Sequence, residues 1–170
     1  MSDASEELRS RQAPLKERYR ADAAAAVIVL KATASLDAAG VACRVDTGRA
    51  LVEAGLHPAT GGSGLQVCSG DMLLEALAAC AGVTLRAVAT ALDIAVRDGR
   101  IEVEGDLDVR GTLGSKDAPV GFRAIRLRFL IDTDATPEQL ATLLKLTERY
   151  CVVLQTLRTP AAVTATMAAT

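Results

Sequence analysis

The chain has 170 residues, with 21 acidic and 19 basic side chains, a net charge of −2 and a single histidine. That length suits one domain that buries its apolar surface without disulfide or metal staples. Half of the residues are hydrophobic but only 2% are aromatic, so Ala, Val and Leu must fill the core by close approach, often across a dimer interface. Near-neutral charge with so few stacking rings argues against nucleic-acid binding.

The opening MSDASEELRS carries acids and no apolar stretch, so no secretory signal is expected and a cytoplasmic setting is. There, Cys43, Cys68, Cys80 and Cys151 are expected to be reduced, catalytic or merely buried rather than in structural disulfides. Residues 1–22 have mixed charges, with Glu7 four residues before Arg11 and a basic run KERYR, and read as a solvated arm or helix. Residues 23–170 form the domain. VIVLKATASL, from Val27 to Leu36, is β-branched and leads through DAAG into VACRVDTGRALVEAGL, which reads as a hairpin of two opening strands. HPATGGSG, His57 to Gly64, is a loop. Its TGGSG has neither the phosphate-loop Lys nor the three-glycine dinucleotide pattern, and reads as a turn.

From Cys68 to Val96 runs the most apolar stretch of the chain. Between Met72 and Leu92 apolar residues lie on almost every side, which predicts a long buried helix at the centre of the fold. Asp71, Glu75, Arg86 and Asp93 make it too charged for a clean membrane span. Ser69, Gly70 and Asp71 supply N-cap chemistry ahead of it, and the Asp71 carboxylate suits the positive helix end.

Asp98-Gly99 reads as a turn. IEVEGDLDVRGTL alternates apolar Ile101, Val103, Leu107 and Val109 with charged residues, and Ile125, Leu127, Phe129 and Ile131 alternate with Arg126 and Arg128, giving a half-buried antiparallel pair. Thr136-Pro137-Glu138-Gln139 has a cap, a first-position Pro and a capping-box Gln. Leu140, Leu143, Leu144, Thr147, Cys151 and Leu154 then repeat at helical spacing, so periodicity alone runs one helix to Leu157. Thr159-Pro160 stops it, and AAVTATMA reads as a last strand. Strands, long helix, strands, helix and strand in that order specify an α+β domain rather than alternating α/β.

Chemistry rests on the cysteines. Cys80 and Cys151 both lie on apolar helical positions, where a thiol ordinarily fills space because burial raises its pKa. Proximity and a low-pKa thiolate would turn them into a redox pair, in which a sulfenic acid on one thiol condenses with the other. Metal binding is disfavoured by the single His57 and by cysteine separations of 25, 12 and 71 residues, which match no zinc pattern. A hydrolase triad would need His57 and lacks a G-x-S-x-G elbow.

DMLLEALAACAGVTLRAVA resembles the first-cysteine helix of the OsmC/Ohr family, and RYCVVLQTL resembles that family's second-cysteine segment in its Tyr-Cys form. The elements between them follow the family order, so the resemblance covers roughly residues 24–168. It implies antiparallel sheets packed around a long central buried helix in an intertwined homodimer that reduces organic hydroperoxides and is re-reduced by a dithiol, with no cofactor or metal. Cys80 would be the peroxidatic thiolate and Cys151 the resolving thiol opening a new helix. Asp71 stands where the family commonly has a catalytic Glu. The family's activating Arg is missing from the DAAG turn, and Arg44 and Arg49 in the second strand are the nearest possible substitutes. A non-catalytic dimer that binds an apolar molecule or a protein, and a thiol redox sensor, are the competing readings.

Overall fold

The computed structural model describes residues 51–169 throughout, the backbone of 33–36 and 42–46, and the helical positions Glu6, Ser10, Gln12, Ala13, Glu17 and Ala21. Most of the expected arm at 1–22 and of the first strand at 27–32 lies outside the described residues.

Strands β1 (Thr33–Leu36), β2 (Ala42–Asp46), β3 (Leu51–Gly55) and β4 (Val67–Cys68) form a sheet in that order. The first three run antiparallel, with Thr33 opposite Asp46 and Ala42 opposite Gly55, whereas β4 joins β3 in parallel through Gly55 and Cys68. The segment read as one return strand is therefore two, since β2 and β3 pair antiparallel with Asp46 opposite Leu51. A 3₁₀ turn at Pro58–Thr60 links the sheet to β4. His57 caps that turn by accepting the Ala59 N–H on its Nδ1 at 3.0 Å.

Helix α1 (Ser69–Ala91) begins earlier than expected, taking in the residues read as its cap. Cys68 is its N-cap residue and offers no side-chain cap bond, so Ser69, Gly70 and Asp71 form the first turn rather than the cap. Leu77, Ala81, Leu85, Val88 and Ala89 make its buried stripe. The opposite stripe remains exposed, with Leu73, Ala76, Ala79, Val83 and Ala87 open to solvent. The expected all-round burial therefore does not hold within one chain, because a single sheet and two helices cover only one side.

Strand β5 (Asp98–Leu107) pairs antiparallel with β6 (Phe122–Asp132), and the register places Val103 opposite Leu127. Asp98 and Gly99, expected as a turn, already pair with Asp132 and Ile131 inside this ladder. Val109 lies beyond it, in a short helix α2 (Val109–Thr112) capped by Asp108. Ile101, Val103, Ile125, Leu127 and Phe129 pack against the clusters on α1. The outer face carries cross-strand ion pairs, Arg128–Glu102 at 3.3 Å and Arg126–Asp106 at 2.6 Å, as expected where one face of an antiparallel pair is wet.

Helix α3 (Pro137–Tyr150) opens on the expected capping box. Gln139 N–H donates to Thr136 Oγ1 at 3.3 Å, and Thr136 N–H donates to Gln139 Oε1 at 2.8 Å. The periodic run then breaks at Cys151, whose ψ of 104° is extended, and α4 (Val152–Arg158) starts immediately after it. The C-terminal residues 160–169 form no strand, and Val163 and Met167 are exposed. Pro160 contributes no N–H to a ladder, and alternation of small side chains cannot by itself supply a pairing partner.

Candidate functional site

Cys80 lies midway along α1, at the border between the buried stripe and the exposed one, and is half-buried. Cys151 is 1% exposed and packs with Leu77, Ala81 and Leu154. The fold thus brings together two thiols 71 residues apart in the sequence.

The break between α3 and α4 positions the second thiol. Cys151 N–H donates to Thr147 O at 3.0 Å, ending α3, and Cys151 O accepts from Gln155 N–H at 2.9 Å, beginning α4. Gln155 Nε2 also donates to Glu148 O at 2.7 Å, satisfying a carbonyl that the end of α3 would leave without a partner. Arg158 pairs with the Glu148 carboxylate at 3.0 Å across the same corner. These bonds fix the angle at which the first turn of α4 meets α1.

That angle aims the free N–H groups of α4 at sulfur. Burial pushes the Cys80 thiol up. The donors that reach its sulfur outweigh burial and hold the thiol below the ordinary value: the backbone N–H groups of Val153 and Val152, the Cys151 thiol and the Thr84 hydroxyl. Cys151 moves the opposite way. Burial and the neighbouring Cys80 sulfur push its thiol up, against the backbone groups of Leu154 and Val153. The pair thus holds one thiol that ionises readily and one that keeps its proton and donates it to the first.

The other expected site residues are not drawn in. Asp71 is exposed in the first turn of α1, nine residues before Cys80. Nine residues span about 13 Å and two and a half helical turns, so within one chain its carboxylate is on the far side of α1. Of Arg44 only the backbone is described, and Arg49 lies outside the described residues. Among the described residues no Lys or Arg is among the groups that act on the Cys80 sulfur. Thr84 and the amides of Val152 and Val153 were not singled out from sequence. A hydroxyl four residues after Cys80 was the visible signal for the first, and nothing marked the amides, because periodicity hid the break that exposes them.

His57 spends Nδ1 on its cap, and among the described residues no three of His, Cys, Asp and Glu converge as metal ligands. A cavity of about 440 Å³ lies between β6 and the α3–α4 corner, with apolar walls from Leu77, Phe122, Ile125 and Leu127 and charged ones from Arg123, Glu148 and Arg158. Leu77, Leu154 and Leu157 also pack in the cluster that holds both cysteines. Leu73 and Val83 on α1 face solvent.

Residues 62–166 match the family model described as OsmC-like protein. Among solved structures, an OsmC-like protein from Mycoplasma pneumoniae is similar with a TM-score of 0.65 at 19% identity, over 78% of this chain and 89% of that one. An organic hydroperoxide resistance protein from Elizabethkingia anophelis gives 0.63 at 17% identity, over 79% and 91% of the two chains. The organic hydroperoxide resistance protein OhrB of Bacillus subtilis gives 0.52 at 23% identity, over 78% and 93%. At these identities the likeness shows the fold alone. No curated protein matches the chain.

Proposed function

Because this chain belongs to the OsmC-like protein family, we propose that it is a thiol peroxidase that reduces organic hydroperoxides through Cys80 and Cys151. The observation that carries this reading is the pairing of a half-exposed thiol held below its usual pKa with a buried thiol held above it. The hydroperoxide resistance proteins of the same fold support it.

In the proposed cycle the Cys80 thiolate attacks the distal oxygen of ROOH. An S–O bond forms, the O–O bond breaks, and the alkoxide leaves and takes a proton to give ROH, leaving Cys80 as a sulfenic acid. The Cys151 sulfur then attacks the Cys80 sulfur, and water departs with the hydroxyl of the sulfenic acid and the Cys151 proton. A dithiol reductant restores both thiols by exchange and is itself oxidised to a disulfide. Asp71 serves the first turn of α1 in this cycle, where a carboxylate suits the free N–H groups. The apolar side chains that pack around the pair, Leu77, Ile101, Val103, Leu127 and Leu154, favour alkyl or lipid chains over hydrogen peroxide.

The homodimer and a reducing, cytoplasmic setting belong to the same proposal. An exposed apolar stripe on α1 with Cys80 at its border supports the dimer, since a second copy laid there would shield the thiol from water. The test is turnover of cumene hydroperoxide with dithiothreitol as reductant. Cys80→Ser is expected to abolish turnover, and Cys151→Ser to leave peroxide consumption at one equivalent without cycling. A Cys80→Ser variant as active as the unaltered protein would overturn the assignment.

A further inference from the structure

Leu143, Thr147, Cys151 and Leu154 are all buried and keep helical spacing, yet the backbone leaves the helix at Cys151, with φ −73° and ψ 104°. The buried stripe would serve an unbroken helix equally well, so apolar pattern does not favour the break. Cys151 opens α4 without a side-chain cap bond of its own. An unbroken helix would give the Glu148 carbonyl the Val152 N–H, four residues on. In the structure Gln155 supplies the donor instead. Its Nε2 donates to Glu148 O at 2.7 Å, while its backbone N–H donates to Cys151 O at 2.9 Å. One residue thus ties both sides of the joint, the last turn of α3 through its side chain and Cys151 through its backbone. Arg158 braces the same corner on the Glu148 carboxylate at 3.0 Å, but that pair is about half exposed, and exposed ion pairs contribute little.

We infer that Gln155 is a positioning residue for the Cys80–Cys151 pair: its side-chain amide stands in for the Val152 N–H, keeps the joint at Cys151 open and so holds α4 over the two thiols. This inference rests on the proposed redox pair and deepens it. Val153, Leu154 and Leu157 of α4 pack in one cluster with Leu77 and Ala81 of α1 and with both cysteines. Side chains confined in such a cluster lose rotamers, and a reaction between two of them gains in effective concentration. The step that gains is closure of the bridge, in which the Cys151 sulfur attacks the Cys80 sulfenic acid, the S–S bond forms, the S–O bond breaks and water leaves. Closing the joint into one helix would swing α4 away from that cluster, because every residue after Cys151 follows its ψ.

Gln155 is exposed, so its replacement is expected to leave the fold intact. Gln155→Met keeps the length of the side chain and removes the donor, and Gln155→Lys keeps a donor. The probe is a series of reduced and oxidised glutathione buffers. Oxidised glutathione takes two electrons and two protons from the thiol pair and leaves as two reduced molecules. Peptide mapping then reads the fraction bridged between Cys80 and Cys151. Gln155→Met is expected to lower the equilibrium constant for the bridge about fivefold, the weight of one hydrogen bond, and Gln155→Lys should restore it. After cumene hydroperoxide, dimedone should capture more Cys80 sulfenic acid in the methionine variant than in the unaltered protein, because the bridge closes more slowly. Gln155→Ala replaces the methionine variant if that protein does not fold, with the same expectation. An unchanged glutathione equilibrium in the methionine or alanine variant would overturn the inference, as would a loss that the lysine variant shares. An unaltered protein that forms the bridge in glutathione but does not consume cumene hydroperoxide would overturn the peroxidase reading, and the glutathione equilibrium would still decide the role of Gln155.

Discussion

Cys80 and Cys151 differ in what surrounds each sulfur, and the difference fixes the sign of their pH dependence. Desolvation opposes ionisation of both, but Cys80 collects two amide donors, a hydroxyl and a thiol, whereas Cys151 is buried beside the sulfur it protects. Alkylation of Cys80 should therefore rise at a pH below the ordinary thiol range and that of Cys151 above it, measured peptide by peptide across pH 5–11, a window that brackets the usual thiol pKa of about 8.5. Equal midpoints for the two would contradict this account. The same shifts act on stability in opposite directions. Between the folded and unfolded pKa of Cys80 the unfolded chain binds more protons, so stability rises with pH through that window. For Cys151 the folded state holds the proton longer, so stability falls as pH climbs past the ordinary value toward its raised one. Thr147, one turn before Cys151, has a fully buried hydroxyl without a hydrogen-bond partner. Nothing in the structure assigns it a chemical task.

The elements were legible wherever local chemistry decides them. The Thr136–Gln139 capping box, the alternation along β6 and the apolar run of α1 all declare themselves in the residues and form as expected. Reading failed where a tertiary or neighbouring constraint overrides pattern. Leu143, Thr147, Cys151 and Leu154 keep helical spacing across a point where the backbone is not helical, because α4 resumes with its apolar residues on nearly the same face. Spacing is blind to such a break. The resemblance of RYCVVLQTL to a known second-cysteine segment was what pointed to a new helix at Cys151. Asp98 and Gly99 have turn chemistry yet pair in β5, since the long β6 partner offers them a ladder. The C-terminal AAVTATMA has strand composition but no partner strand in this chain. The site was legible in part: both thiols stood out, while the groups that tune Cys80 are backbone amides and one threonine, which carry no sequence signature of their own.

At the scale of the whole molecule the described residues leave one stripe of the central helix exposed. Helix α1 is apolar along most of its length yet is buried along one stripe, and a core of small side chains gains from a second surface at close range. The exposed stripe of Leu73, Ala76, Val83 and Ala87 borders Cys80, so the proposed dimer would both bury this face and close the site. Val83→Asp, a change at a side chain 72% exposed in the single chain, should weaken or abolish association by burying an unpaired charge. Light scattering coupled to gel filtration should show a dimer for the unaltered protein and a monomer or a concentration-dependent mixture for the variant. A unaltered protein that is monomeric at high concentration would remove the dimer from the proposal.

The central claim is that Cys80 and Cys151 act as one redox pair. The most direct measurement is a count of free thiols with mass mapping of disulfides, before and after one equivalent of cumene hydroperoxide. The account predicts loss of the Cys80 and Cys151 thiols together, joined in a bridge that dithiothreitol reverses, with Cys43 and Cys68 untouched. Four thiols still free after exposure to the peroxide, or a bridge that excludes Cys80, would contradict it.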